Sequence, residues 1–279
     1  MTTPSPSAAA QAPETLEGWY ALHQLFSIDR AALRAFSDAE RRAAREEAQW
    51  ALDALTERRA DDGWTAIVSL VGSRADVMFL HLRPTLDQIA ESQRALSRIP
   101  LLDALRPVYS FLSVTEAGMY GLTAKLAKEA AARGGKVGDE QYQRMLRERL
   151  DAELASDHVQ KRLYPSLPPE MPWVCFYPMN KKRQPSANWY AQPLEERSRM
   201  MWEHGLSGRK YSGRILQIVT GAIGFDAWEW GVTLFARDPL DFKKIVSEMR
   251  FDEASAKYGE FGDFFVGKRA GAREWLAEL

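Results

Sequence analysis

The chain shows the same order of secondary-structure patterns twice, once on each side of a charged stretch over residues 119–160. Each half begins with an aromatic-rich apolar run typical of a strand, continues into a helical pattern, and then predicts two strands, a helix and a strand. The first half places these elements over residues 18–29, 30–60, 64–72, 75–84, 86–97 and 107–115. The second half places them over residues 172–180, 193–205, 213–224, 229–238, 239–259 and 260–269. This order is the split βαβ pattern of ferredoxin-like units.

The repeated order predicts an α+β fold with two tandem ferredoxin-like repeats that form a dimeric α/β-barrel-type protomer. We expect the sheets of the two repeats to pack face to face. The predicted division is a disordered tail over residues 1–14, a repeat over 15–118, a helical linker over 119–160 and a second repeat over 161–279. The linker is expected to be solvated and to contain one helix over residues 139–156, because its sequence is highly charged.

The composition excludes several classes of function. The 37 Lys and Arg residues balance 38 Asp and Glu residues, which argues against a protein that binds nucleic acid or an anionic membrane. A single cysteine, Cys175, rules out an intramolecular disulfide and a cysteine-based zinc site. The sequence predicts no membrane span and no secretory signal, so we expect a cytoplasmic protein.

One of only four histidines stands where a helix is expected to end, in the stretch "EHGLSGRKYSG". His204 directly precedes Gly205, so it is predicted to lie on the last helical turn. An imidazole at that place often caps the helix, because it meets unpaired carbonyls and the negative end of the helix dipole. A lone histidine cannot build a zinc site, but it can serve as the axial ligand of a haem, whose porphyrin supplies four nitrogens. From the residues alone both interpretations remain open.

The neighbourhood of His204 resembles a known family. The strings "YPMNKKR" and "MRFDEASAKYGEFG", within a close match over residues 162–267, resemble the coproheme decarboxylases of the chlorite-dismutase-like superfamily, in the branch with a distal glutamine. The resemblance implies tandem ferredoxin-like repeats assembled as a homopentamer, with the haem site in the C-terminal repeat. It also implies the last step of coproporphyrin-dependent haem biosynthesis, in which hydrogen peroxide drives the conversion of iron coproporphyrin III (coproheme) to haem b. Two propionates then become vinyl groups and CO₂ is released.

The resemblance assigns roles to individual positions. His204 matches the axial iron ligand, Tyr177 matches the tyrosine that becomes a radical, and Lys181 faces a reactive propionate. The remaining positions that resemble porphyrin-binding residues are Arg162, Met179, Gln217, Trp228, Arg250 and Ser255, and Tyr142 resembles a further propionate contact in generic surroundings. The implied partners are hydrogen peroxide, coproheme and, transiently, a coproporphyrin ferrochelatase. No other metal, no nucleic acid and no membrane span are expected.

The residue types suit this chemistry. Four carboxylates on the substrate need cations and hydroxyl donors, and charge-assisted bonds to carboxylate are strong. Tyr177, Met179 and Lys181 are spaced by two, so an extended chain would place all three on one face. A phenol beside a propionate can relay oxidising power from the iron to the edge of the ring.

Two alternatives remain. A chlorite dismutase-like haem peroxidase is disfavoured by Gln217, because the chlorite-splitting relatives carry an arginine at that position. A haem-binding carrier or sensor would need His204 but would have no use for Tyr177 as a radical relay.

Overall fold

The structure is a computed structural model that describes residues 11–57 and 60–279. Most of the predicted tail, residues 1–10, lies outside the described residues. The strands are β1 (Thr15–Ile28), β2 (Trp64–Leu70), β3 (Val77–Arg83), β4 (Leu105–Gly118), β5 (Trp173–Lys181), β6 (Arg183–Gln184), β7 (Ala187–Asn188), β8 (Ile215–Gly221), β9 (Trp230–Ala236), β10 (Gly259–Phe261) and β11 (Phe265–Ala270).

The helices cover the predicted helical patterns and add others. They are α1 (Arg30–Arg34), α2 (Asp38–Thr56), α3 (Leu86–Ser97), α4 (Tyr120–Ala132), α5 (Glu140–Leu154), α6 (Asp157–Leu163), α7 (Leu194–Arg209), α8 (Leu240–Met249), α9 (Glu253–Tyr258) and α10 (Ala272–Ala277). The bounds of α3 coincide with the prediction, since Thr85 and Gln88 form a capping box at its start. The long helix predicted over residues 30–60 is interrupted at Ser37, which caps α2. None of the helices in the described ranges is long and apolar enough to cross a membrane.

The α+β fold with two ferredoxin-like units is confirmed. The first unit has the strand order β2-β3-β1-β4 and the second has the order β11-β5-β9-β8, and all these pairs are antiparallel. Strand β4 pairs with β8, and β11 pairs with β2, so the two sheets join at both edges. The two sheets, which were expected to pack face to face in a barrel-type protomer, thus close through their edges into one barrel of eight strands. Closure removes the exposed edges of both sheets.

Side chains point alternately into and out of the barrel along each strand, and the inward side chains of both units fill it. Phe111 of the first unit and Phe176, Phe235 and Phe265 of the second lie in one buried cluster. His23 is also enclosed there, stacked on Phe176 at 3.9 Å between ring centroids, with its Nε2 2.8 Å from the hydroxyl oxygen of Thr233. Burial lowers the pKa of His23 to about 3, so this imidazole is neutral near pH 7.

The stretch predicted as a solvated linker with one helix contains α4, α5 and the start of α6. Leu126 and Ala130 of α4 pack with Tyr142 and Leu146 of α5 in a buried cluster of their own. Helix α4 also packs against α7 of the second unit. The charged composition reflects the outer faces of these helices, while the narrow apolar faces that pair them gave too weak a signal.

Helix α7 does not end at Gly205 as the sequence predicts. It continues through Gly205 and Gly208 to Arg209. A glycine in a helix interior costs about 1 kcal/mol relative to alanine, a cost that tertiary packing can offset. His204 is therefore an interior helical residue, and the cap interpretation no longer applies to it.

A close backbone approach joins α6 to the barrel. At Gly18 a side-chain Cβ would lie 2.2 Å from the carbonyl oxygen of Leu163, at the end of α6. The hydroxyl of Thr115 donates to the same carbonyl at 2.7 Å. Only glycine fits beside this contact, which fixes the position of Arg162, the residue before Leu163.

We predict that Gly18→Ala destabilises the protein by about 1–3 kcal/mol, the usual cost of overpacking, because the obstructing atoms belong to the backbone and cannot rotate away. Thermal unfolding followed by circular dichroism measures this change. Gly121→Ala in α4 is the matched control, because a Cβ there meets nothing within 4 Å and alanine favours the helix. Equal melting temperatures for Gly18→Ala and the unmodified protein would contradict the prediction.

Candidate functional site

A cavity of about 1460 Å³ lies between the outer face of the second unit's sheet and the helices that cover it. Its walls come from β5, β8 and β9, from α4, α7 and α8, and from the segment before β1. It exceeds the roughly 300–1,000 Å³ typical of small-molecule sites, so it can hold a large ligand. The predicted site residues that line it are Arg162, Tyr177, Met179, Lys181, His204, Gln217, Arg250 and Ser255.

Strand β5 places three of these residues together. Val174 and Phe176 point into the barrel, whereas Tyr177, Met179 and Lys181 line the cavity on the outer face. The pairing of β5 with β9 on one edge and with β11 and β10 on the other fixes this register. The expectation that even spacing brings the three side chains to one face is thus met by the structure.

Tyr177 is held among aromatic rings. Its ring stacks on Phe264 with centroids 4.3 Å apart and contacts Phe261 at 6.0 Å. The side chain is only 6% exposed. Burial raises the pKa of Tyr177, Cys175 raises it further, and the nearby charge of Arg250 opposes the rise. The phenol therefore keeps its proton near neutral pH.

Lys181 is a buried cation. Its Nζ donates to the carbonyl of Ala254 at 3.0 Å and lies 4.7 Å from the ring centroid of Trp189. Burial lowers the pKa of Lys181 to about 8, and the negative charge of Asp252 opposes the shift. The ammonium group is thus charged at pH 7 and loses its charge at moderately alkaline pH.

His204 is oriented by a carboxylate. Its Nδ1 lies 3.0 Å from Oδ2 of Asp252 and 3.5 Å from the hydroxyl of Ser255, which itself donates to Asp252 at 3.2 Å. Burial acts to raise the pKa of Asp252. The hydrogen bond and the charge of His204 oppose this effect, as do two hydrogen bonds from Ser255, and the pKa of Asp252 is lowered overall. With the Nδ1 proton donated to Asp252, the lone pair of Nε2 is available to a metal.

The donor set around His204 fits a haem iron better than a bare metal ion. In the described ranges no group of three or more His, Cys, Asp or Glu side chains could hold a metal ion. A metal at His204 would have to bring its other ligands with it, as an iron porphyrin does. The wall beside His204 is also open, because a Cβ at Gly205 would meet nothing within 4 Å and one at Gly208 would meet only the end of Met249 at 3.6 Å.

The cavity is strongly cationic. Eight Lys and Arg residues line it against two Glu residues. They are Lys125, Lys128, Arg162, Lys181, Arg197, Arg199, Arg209 and Arg250. Of these, Arg199 is already bound to Glu196, Glu203 and Glu253. The others leave an excess of positive charge that favours an anionic ligand.

Two residues named in the sequence analysis lie elsewhere. Trp228 borders a separate cavity of about 360 Å³ with Tyr109 and Pro178, and Trp230, two positions later, lines the main cavity instead. Trp228 precedes β9, and its backbone N–H donates to Asp226, so strand alternation does not determine its direction. Tyr142 is buried between α4 and α5, and its hydroxyl accepts a bond from the side chain of Gln11.

Several site residues escaped the sequence analysis. Asp252 could be recognised as a helix cap in the string "RFDEAS", but its contact with His204 spans 48 positions. Arg197 looked like one charge among many on α7. Lys125 and Lys128 belong to the stretch predicted as a solvated linker. In each case the signal is a long-range contact that local pattern does not contain.

Comparisons with known proteins find matches that cover most of the chain. A family model described as chlorite dismutase matches residues 41–270. A coproheme decarboxylase from Staphylococcus carnosus (strain TM300) is 43% identical over 259 residues, covering 92% of this chain and 94% of the relative. A coproheme decarboxylase from Staphylococcus saprophyticus is 42% identical over 258 residues, again covering 92% and 94%.

Solved structures agree with these matches. A protein from Thermus thermophilus described as a novel heme-binding protein has a TM-score of 0.81 and 40% identity, covering 97% of this chain and 98% of that one. A mutant chlorite dismutase from Candidatus Nitrospira defluvii has a TM-score of 0.69 at 18% identity, covering 94% of this chain and 96% of that one. The second likeness supports the fold alone.

The pKa of Lys181 predicts a specific pH dependence of stability. Between about pH 8 and the ordinary lysine value near 10.4, the unfolded chain binds the proton more fully than the folded one, so the free energy of unfolding gains a rising contribution. Lys181→Met should lack this contribution. We expect the difference in unfolding free energy between the unmodified protein and Lys181→Met to rise by about 2 kcal/mol from pH 8 to pH 10, at about 1.4 kcal/mol per pKa unit.

Urea unfolding at a series of pH values measures this difference. Lys136→Met removes an exposed lysine and shows whether the loss of any lysine has the same effect. Parallel profiles for the unmodified protein and Lys181→Met would contradict the prediction.

Proposed function

The chain belongs to the chlorite dismutase family, and we propose that it is a coproheme decarboxylase that uses hydrogen peroxide to convert coproheme to haem b. The observation that carries the proposal is one shared cavity. His204, with its Nδ1 engaged by Asp252, and the buried phenol of Tyr177 line the same space as an excess of cations. The names and extensive identity of the two staphylococcal relatives support the same reaction.

The substrate would bind through the cations that line the cavity and would occupy the free space beside Gly205 and Gly208. Lys181 on β5, Arg250 at the end of α8 and Arg162 on α6 line the cavity together with Tyr177. Each can donate charge-assisted bonds to a propionate. Gly205 and Gly208 leave open space beside the helix, where Nε2 of His204 would hold the iron of the porphyrin.

The reaction balances with peroxide as the oxidant. Each propionate that becomes a vinyl group loses CO₂, one proton and two electrons. One hydrogen peroxide takes up these two electrons, that proton and one further proton from the solvent to give two waters. When bound, the iron porphyrin would supply the oxidising equivalents that it takes from peroxide. Tyr177 would give up its phenolic hydrogen and then take a hydrogen atom from the propionate β-carbon. Loss of CO₂ from the resulting propionate radical forms the vinyl group and releases the second electron, which the second oxidising equivalent from peroxide takes up.

The surroundings of Tyr177 support this role. Because burial raises the pKa of its hydroxyl, Tyr177 holds its proton until it is oxidised, and an electron and a proton then leave together. The stacked ring of Phe264 and the tilted ring of Phe261 pack against Tyr177, which is only 6% exposed. Asp252 would hold His204 in the tautomer whose Nε2 faces the metal.

The finer assignments complete the proposal. Gln217, which lines the cavity from β8, would lie on the distal side of the ring, and a glutamine there supplies no fixed cation for chlorite chemistry. We place the enzyme in the cytoplasm, as a homopentamer, at the last step of coproporphyrin-dependent haem biosynthesis. Transient contact with a coproporphyrin ferrochelatase would deliver the substrate.

The test is to mix purified protein with coproheme, add peroxide in steps, and identify the porphyrin by chromatography and mass spectrometry. We expect loss of two carboxyl groups in sequence. If coproheme keeps all four carboxylates and is only bleached, the proposal fails and the protein acts as a peroxidase. Binding without any reaction would favour a carrier, the role closest to the heme-binding description of the Thermus protein.

In the same assay we predict that Tyr177→Phe binds coproheme with an affinity close to that of the unmodified protein and loses decarboxylation by at least about 100-fold, the scale of a lost proton-transfer group. The phenyl ring keeps its packing against Phe264 but has no hydrogen to give. Tyr211→Phe removes the hydroxyl of another buried tyrosine, which donates to Glu248, and serves as the control. Full turnover by Tyr177→Phe would remove Tyr177 from the mechanism.

We predict that Asp252→Asn weakens the bond between His204 and iron, because the amide offers the imidazole no negative charge. Loss of such an outer partner typically lowers metal affinity about 10–100-fold. Titration with coproheme should show weaker binding and a shifted Soret band, and His204→Ala should show a larger change. An unchanged spectrum in both variants would exclude His204 as the axial ligand.

A further inference from the structure

The segment before β1, within the stretch that the sequence predicts as a disordered tail, is tied to three helices. The side chain of Gln11 donates to the hydroxyl of Tyr142 on α5 at 3.0 Å. The backbone N–H of Glu14 donates to the hydroxyl oxygen of Thr123 on α4 at 2.9 Å, and its carbonyl accepts from Met119 at 2.8 Å. Arg197 on α7 donates to the carbonyl of Gln11. These bonds hold residues 11–14 in one place.

The same segment forms part of the cavity wall. Ala12 and Pro13, with Thr15 at the start of β1, line the cavity together with α4 and α7. A ligand that fills the cavity would therefore contact the segment directly.

Arg197 connects the segment to the ligand site. Its side chain is only 3% exposed, and it also lines the cavity. Its hydrogen bonds go to the main-chain carbonyls of Gln192, at 3.2 Å, and Gln11, and the described residues give it no carboxylate partner. A buried guanidinium without a counter-charge is costly, and an anion in the cavity would reduce that cost. Arg197 also lies seven residues before His204, so the two share one face of α7 about 10 Å apart at 1.5 Å per residue.

We propose that residues 11–15, held by Arg197, are a fixed wall of the porphyrin site and that substrate affinity depends on them. The inference rests on the proposed function for the identity of the ligand. Arg197 is a positioning residue here: it holds the segment through a carbonyl, and its charge favours an anionic ligand beside the segment. The effect should appear in binding and KM, while kcat at saturating substrate changes little.

The test compares two truncations of the full chain by titration with coproheme. Removal of residues 1–10 should leave Kd within about twofold, whereas removal of residues 1–14 should raise Kd at least about 10-fold, or about 1.4 kcal/mol. The same truncation should raise KM and leave kcat within about twofold. Equal Kd values for the two truncated proteins, at equal melting temperature, would overturn the inference.

A second variant decides the matter if the longer truncation does not fold. Thr123→Val with Tyr142→Phe removes two of the side-chain acceptors that hold the segment, and neither residue lines the cavity. We expect a Kd raised about 10-fold at a melting temperature that leaves the protein folded. An unchanged Kd in this double variant would overturn the inference.

Proteolysis gives a readout that does not depend on turnover. Cleavage after Glu14 by a glutamate-specific protease requires the segment to leave its hydrogen bonds, so coproheme should slow cleavage at least about 10-fold in the unmodified protein. Cleavage at an unchanged rate in saturating coproheme would contradict the inference. If the unmodified protein binds no coproheme, the proposed function fails as well. Equal binding by all variants would overturn only the role of the segment.

Discussion

The pairing of β5 on both of its edges is the constraint on which the site depends. Seven residues of β5 pair with β9, and its other edge pairs with β11 and then with β10. Two rows of side chains result: Val174 and Phe176 fill the barrel, and Tyr177 and Lys181 face the helices. A slip of one residue would exchange the rows and place an ammonium group in the barrel interior. The barrel core therefore secures the geometry of the cavity, although the two lie on opposite faces of one sheet.

The site also depends on a second contact, between α7 and the start of α9. Asp252 caps α9 through the backbone N–H of Ser255 and binds Nδ1 of His204 with its other oxygen. One carboxylate thus caps a helix and orients an imidazole. Burial of this pair makes the hydrogen bond stronger than it would be in water. Lys181 lies close enough to Asp252 for the charges to interact, so the cation on β5 and the histidine on α7 share a single anion.

Much of the fold could be predicted from the sequence because its elements carry strong local signals. The capping box at Thr85 marks the start of α3, and the spacing of Tyr177, Met179 and Lys181 indicates their common face. A barrel-type protomer was expected, but the strand pairs that join the two sheets could not be predicted, since edge pairing such as that between β4 and β8 involves two residue pairs with no sequence signature. Gly205 resembles a helix end by its local pattern, but packing continues α7 beyond it. The segment at residues 11–14 is held mainly through its backbone, and backbone bonds leave no trace in composition.

The width of the space beside α7 has a thermodynamic consequence. A chain folded around about 1460 Å³ gives up the dispersion contacts that side chains would make if they filled that volume. A molecule that occupies the space binds the folded chain and not the unfolded one, so it stabilises the fold by RT ln(1 + [L]/Kd). At a concentration 100 times Kd this is about 2.7 kcal/mol, a large part of the total stability of an ordinary domain. The concentration of this bound molecule would then determine the lifetime of the folded protein as well as its rate of turnover.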